Sequence, residues 1–199
     1  MTRFFVSPEE MGESFLVLTG ENAAHAKVLR LKAGDMVTVC DGQGRECNCT
    51  VSDVSPGQVS LVAHHWGNSQ GEAVVPVRIF MAFPKADKLE HVIQKATELG
   101  ATEIITFPTA RCVSRPEERA LEKKLDRWRK IAASAAEQSG RGRIPRVTVL
   151  PSYAAALAEA AKAELPILFY ENEAGNTLSM ALGQKPGFAS VSLVTGPEG

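Results

Sequence analysis

Residues 78–107 read RIFMAF-PKADK-LEHVIQKATEL-GAT-EIITF, and the order of patterns in this stretch decides the fold. Arg78 to Phe83 is a short apolar run, the length of a buried strand. From Asp87 to Leu99 the apolar positions Leu89, Val92, Ile93, Ala96 and Leu99 recur at helical spacing, and Glu103 to Phe107 returns to a strand pattern. Strand, helix, strand in about thirty residues predicts a βαβ unit, whose two strands lie parallel.

The same alternation continues downstream. A helix is predicted from about Pro116 to Ser139, with Leu121, Leu125, Trp128, Ile131, Ala132 and Ala135 on one face. Strands at Val147–Leu150, Ile167–Tyr170 and Val191–Thr195 and a helix at Tyr153–Ala163 complete the pattern. This is an α/β arrangement, a mainly parallel sheet covered by helices, and ligands in such sheets bind beyond the carboxyl ends of the strands. The loops after Phe83, Phe107, Tyr170 and Thr195 are therefore the places to look.

Upstream the signals are shorter. Phe15–Leu18, Met36–Cys40, Glu46–Val54 and Gln58–Ala63 are β-like, separated by turns at Asp41-Gly-Gln-Gly44 and Ser55-Pro-Gly57, with one helical stretch at Asn22–Leu31. Closely spaced short strands predict a small β-barrel. Small, polar and breaker residues at 66–76 mark a boundary, giving domains at 1–70 and 74–199.

The 199 residues carry a formal net charge of −1, but the charge is unevenly spread. Residues 1–72 hold five Lys/Arg against nine Asp/Glu, and residues 78–146 hold fifteen against nine. A basic middle on a neutral chain predicts a phosphate-facing patch. No run approaches the length of a membrane helix, and the first residues lack a signal-peptide core, so a cytoplasmic protein with no membrane association is expected. Cys40, Cys47, Cys49 and Cys112 form no metal-ligand spacing and read as ordinary thiols, so no metal site and no disulfide framework is assigned.

Three segments have the residue types for chemistry. The first is the loop Pro84 to Lys88 with the polar face of the helix after it, where Lys85 and Lys95 are candidate phosphate contacts; the same residues also fit a solvated helix face. The second is Gln138-Ser-Gly-Arg141-Gly-Arg143, which follows the cationic run Lys123 to Lys130. Gln138, Arg141 and Arg143 are candidate RNA contacts, while the cations of 123–130 also read as a solvated face. The third is Val191 to Gly199, a strand entering a Gly-Pro-Glu-Gly turn whose backbone can approach a ligand closely. No P-loop, nucleophile elbow or zinc-protease helix motif is present. On charge alone Lys27 and Arg30 are further candidates for phosphate contact, ahead of His25.

Several of these segments, in order, resemble one family: Arg3-Phe-Phe5, HAKVLR at 25–30, Gly34-Asp35 with Asp41-Gly42, QKATELG at 94–100, Glu137-Gln-Ser139 with Arg141 and Ile144-Pro145, and Gly196-Pro-Glu-Gly199. The set is similar to the bacterial 16S rRNA (uracil-N3)-methyltransferase family, RsmE, of the SPOUT superfamily. The resemblance implies an N-terminal PUA-like barrel for RNA, then an α/β methyltransferase domain with a trefoil knot around S-adenosyl-L-methionine, working as a homodimer on 16S rRNA of the 30S subunit.

Carried onto this sequence, the cofactor loops are those holding Tyr170, Glu171, Thr195, Gly196, Pro197, Glu198 and Gly199. The family pattern runs on past Gly199, so the C-terminal part of the domain and full closure of the knot are expected beyond these residues. Methyl transfer to uracil N3 requires loss of a proton and stabilisation of the resulting charge, and Glu98 and Arg111 are the candidates for those roles. The loop at 138–146, with Arg3, Lys27 and Arg30, is expected to clamp the RNA. The alternatives are a non-catalytic RNA-binding or ribosome-assembly factor of the same fold, and a nucleotide-binding metabolic enzyme without RNA.

Overall fold

The computed structural model describes residues 1–85, 87–113, 115–184 and 187–197. Its contacts divide the chain into two units: Met1–Glu72 with Ala136–Ile144, and Ala73–Ala135 with Pro145–Gly199.

The first unit is built on β1 (Thr2–Phe5), β2 (Phe15–Thr19), α1 (Gly20–Val28), β3 (Met36–Cys40), β4 (Arg45–Ser55) and β5 (Gln58–Asn68). The strands form one sheet in the order β1-β3-β4-β5-β2; β1 runs parallel to β3, and the other pairings are antiparallel. Alternation along the strands sends Leu16, Leu18, Val37, Val39, Cys47, Cys49, Val51, Val59 and Leu61 into one core, with Phe4 and Ala26. The thiols of Cys47 and Cys49 are fully buried there, and Cys40 is fully buried as well. Their burial pushes Cys49 up to about 12 and Cys40 to about 11, so neither is a thiolate at neutral pH.

Several boundaries differ from the sequence expectation: the strand expected at Ile167–Tyr170 is Leu165–Leu168, the helix expected to reach Ala163 ends at Ala160, and three further departures lie in the first unit. Thr2–Phe5 is a strand although it is too short to show a period. Helix α1 stops before Leu31, because Arg30 takes the left-handed conformation at φ 57°, which closes the helix with Leu31 N–H donating to Ala26 O at 3.1 Å. Strand β5 continues through Asn68, three residues into the stretch read as a boundary, since Trp66, Gly67 and Asn68 pair with β4.

The second unit is a sheet of five parallel strands: β6 (Val77–Ala82), β7 (Glu103–Phe107), β8 (Arg146–Val149), β9 (Leu165–Leu168) and β10 (Val191–Thr195), in the order β8-β7-β6-β10-β9. Pro166 is tolerated in β9 because that strand is an edge. Between the strands run α2 (Lys88–Glu98), α3 (Glu118–Ser139) and α4 (Tyr153–Ala160), and a short α5 (Leu178–Gln184) that the sequence reading lacks precedes β10. Phe80, Ala82, Ile105, Phe107 and Val194 pack against Ala156 and Ala160 of α4. Ser152 caps α4 by accepting from Ala155 N–H at 3.1 Å. The last strand in sequence thus lies between β6 and β9, beside the first strand of this sheet.

Candidate active site

A cavity of about 750 Å³ opens at the carboxyl ends of β7, β9 and β10. Three chain exits form it. Phe107 and the loop Thr109 to Val113 follow β7, Leu168 to Glu171 lie at the end of β9, and Val194 to Pro197 lie at the end of β10; Tyr153 at the start of α4 closes one side. Each exit is positioned by the sheet ladder. Phe169 N–H donates to Val194 O at 2.9 Å, which carries the β9–β10 pairing one residue past the strand and holds these two exits together.

Phe107 is fully buried beneath the cavity, and its ring lies 5.9 Å from that of Tyr153. Leu168, Phe169 and Tyr170 are substantially exposed. The walls are therefore apolar with a polar rim. Arg111 and Glu171 supply that rim as an ion pair at 3.5 Å, with side chains 79% and 69% exposed, so the pair is solvated and adjustable rather than structural. At the loop base Thr109 N–H donates to Cys112 Sγ at 3.2 Å, and the Arg115 guanidinium donates to Thr109 O.

The structure brings Arg111, Tyr170, Glu171, Thr195, Gly196 and Pro197 together around one cavity. Glu198 and Gly199 lie outside the described residues. The residues that sequence reasoning missed are Thr109, Ala110, Val113, Tyr153 and the apolar lining. The rule that ligands sit beyond strand ends did single out the loop after Phe107; nothing in the sequence marked Tyr153.

Glu98 does not join them. It ends α2, a few residues before β7 begins, and so lies at the amino edge of the sheet, opposite the cavity. Its carboxyl is hydrogen-bonded to Lys95 at 2.8 Å, which holds it below the usual carboxylate range, the wrong direction for a general base. The assignment of Glu98 as a catalytic residue is corrected accordingly. Lys95 sits in that same pair.

Two candidate RNA contacts are also corrected. Arg141 is 2% exposed and its guanidinium donates to Glu72 at 2.6 Å. Arg3 turns inward to Glu46 at 2.6 Å and to Cys40 Sγ at 2.7 Å. Both are held inside the first unit. Lys27, Arg30, Gln138 and Arg143 are exposed in the first unit and Lys85 in the second.

Among the described residues no group of three His, Cys, Asp or Glu side chains is arranged to hold a metal ion, and no helix is long and apolar enough to cross a membrane.

The family described as RNA methyltransferase domain matches residues 71–199, and the RNA methyltransferase PUA domain matches residues 18–63. The chain is 35% identical over 207 residues to ribosomal RNA small subunit methyltransferase E of Bacillus subtilis, covering 100% of this chain and 81% of that protein. The chain belongs to the ribosomal RNA small subunit methyltransferase E family. The Synechocystis protein of that name is 33% identical, over 99% of this chain and 64% of its own length. A family structure from Neisseria gonorrhoeae, solved bound to S-adenosyl methionine, superposes with a TM-score of 0.84 at 25% identity, covering 100% of this chain and 80% of that one. The α/β fold with a PUA unit is thus a property the chain shares with the family.

Proposed function

We propose that this chain transfers a methyl group from S-adenosyl-L-methionine to N3 of a uridine in 16S rRNA of the small ribosomal subunit. The observation that carries the reading is the cavity at the ends of β7, β9 and β10, in a chain of this family. Its volume is within the range that encloses a cofactor-sized ligand.

The residues present fit the group. Phe107, Leu168 and Val194 offer apolar walls for a flat heterocycle, the turn from Thr195 to Pro197 offers backbone at close range, and Glu171 offers a carboxylate on the rim. When bound, S-adenosylmethionine supplies an electrophilic methyl group. The protein must hold the acceptor nitrogen in line with it, and positioning of this kind accounts for a large part of such accelerations. Uracil N3 becomes a competent nucleophile once its proton has left, and the ring then carries negative charge over its carbonyl oxygens. In this reading the Arg111 guanidinium, which lines the cavity, stabilises that charge. Exposed Lys27, Arg30 and Arg143 in the first unit suit phosphate contacts and make binding salt-dependent. The reading includes a homodimer working in the cytoplasm.

The test is incubation of the protein with labelled S-adenosylmethionine and small subunits that lack the modification. Label recovered as N3-methyluridine supports the reading. Absence of methylated uridine, in an assay where a characterised family member is active, rejects it.

A further inference from the structure

The cavity between β7, β9 and β10 leaves the charge on α3 unexplained. Exposed residues of that helix carry both signs, with Arg129 paired to Asp126 at 3.4 Å, but four cations stand together. Lys123, Arg127 and Lys130 fall in one stripe with Lys124 beside it, while Glu122 and Asp126 occupy the neighbouring flank. Spacing of four residues joins Lys123 to Arg127, a like-charge pair that weakens a helix.

The cationic stripe also borders a cavity of its own. A space of about 360 Å³ lies where β6 leaves the sheet, with Phe83, Pro84 and Leu89 on one side and Lys123, Lys124 and Trp128 of α3 on the other. Its floor is apolar: Phe83 is 6% exposed and Trp128 4%, with ring centroids 6.3 Å apart. Among the described residues two carboxylates line the cavity, Asp87 and Glu90. Glu90 is taken by Arg127 at 2.8 Å, so the two lysines face the remaining Asp87 in excess. An apolar floor beneath surface cations lowers the local dielectric and strengthens their hold on an anion.

Strand β6 is central in the sheet, with β7 on one side and β10 on the other. The cationic cavity at its exit therefore opens on the same carboxyl edge as the larger one. From Lys123 to Lys130 the cations extend about 10 Å along the helix, a row suited to a polymer of phosphates rather than to a single anion.

We propose that the cavity under Lys123 and Lys124 is a phosphate-holding site for the single-stranded RNA that flanks the target uridine. This rests on the reading of the chain as an rRNA methyltransferase. The RNA backbone crosses the α3 cations at the exit of β6, and the adjoining nucleotide is thereby delivered to the neighbouring cavity on the same sheet edge.

The experiment measures binding of fluorescein-labelled oligouridylate by anisotropy over a salt series. It compares the wild-type protein, the Lys123→Glu/Lys124→Glu double variant, the milder Lys123→Gln/Lys124→Gln pair and Lys162→Gln, whose lysine pairs with Glu159 beyond the end of α4. For the reversal pair we expect affinity at low salt to fall about tenfold or more, and the slope of log K against log salt to become shallower by about 1.4, two phosphate contacts on a single strand. The glutamine pair should lose the same slope, and Lys162→Gln should keep it. Wild-type affinity and slope in both lysine-pair variants would overturn the proposal. If the reversal pair alone loses its circular dichroism, the glutamine pair decides. Methyl transfer by the wild-type protein is run alongside; its failure counts against the proposed activity, while the oligouridylate data still decide the phosphate site.

Discussion

The Arg141 guanidinium is buried against the Glu72 carboxylate at 2.6 Å, and the other oxygen of that carboxylate accepts from the backbone N–H groups of Gly142, at 3.0 Å, and Arg143, at 2.9 Å. One side chain thus fixes three donors and ties the Ala136–Ile144 segment to the unit that ends at Glu72. The segment is also pinned by Ile144 N–H donating to Gly42 O, and Gly142 packs so closely on Ser69 that an added Cβ would stand 2.4 Å from that residue's own Cβ.

Glu72→Ala should therefore be among the most damaging single changes in the first unit. It withdraws the carboxylate from a nearly buried guanidinium and from two amides, and losses of this kind cost about 3–5 kcal/mol. Glu72→Gln keeps an acceptor for the amides and should cost less than Glu72→Ala. Urea unfolding of the three proteins checks the order; a Glu72→Ala variant within about 1 kcal/mol of wild type would show that the clamp is dispensable.

This clamp also marks where the sequence stopped being informative. The α/β succession was legible because strands there are short apolar runs and the long helices carry a helical period, and β7 and β10 begin and end where the pattern does. A Gly-Arg-Gly-Arg loop has no period, and its residue types are equally those of a nucleic-acid contact and of an internal ion pair. Only the position of Glu72, 69 residues away, tells them apart for Arg141. The same blindness to pairing made Glu98 look like a catalytic carboxylate, whereas Thr195, Gly196 and Tyr170 were expected beside strand ends, and they line the cavity there. The cations of α3 were visible in the sequence, but without the cavity beside them they had no direction.

Arg30 holds φ 57° at the end of α1, a conformation that costs a residue with a Cβ about 1–2 kcal/mol. Arg30→Gly removes that strain and adds about 0.5–1 kcal/mol of unfolded-chain entropy, so the variant should be as stable as wild type or more stable by about 0.5–1 kcal/mol. If the exposed guanidinium meets phosphate, RNA affinity should fall at the same time. Thermal unfolding and oligonucleotide binding, measured on the same sample, test for these opposite movements. A drop in stability would show that the side chain supports the fold instead.

The thiols of the first unit predict an alkaline limit. Burial raises Cys40 from an ordinary 9.0 to about 11 and Cys49 to about 12. A thiol whose value is raised on folding favours the folded state fully below the ordinary value, and that contribution is lost as pH climbs from about 9 toward 11 and 12. Unfolding free energy should decline over this window. Iodoacetamide at pH 8 should spare Cys40, Cys47 and Cys49 in the native protein and label them in urea, as read by peptide mass spectrometry. Native labelling of the three at the denatured rate would show that the core opens locally.

Arg111 allows stability and chemistry to be separated. Its side chain is 79% exposed and its pair with Glu171 is solvated, so Arg111→Ala should leave the unfolding midpoint unchanged, since pairs of this kind contribute about 0–1 kcal/mol. The guanidinium has another use at that position only if charge develops on the uracil ring beside it. In that case the loss should appear in kcat, by about 100-fold, with little change in the KM for RNA, because the interaction strengthens only as the N3 proton leaves. Arg111→Lys keeps the charge without the planar fork and should recover part of the rate. A tenfold rise in KM at constant kcat would instead make Arg111 an RNA-binding residue, and the stabilising cation would have to be sought elsewhere on the rim.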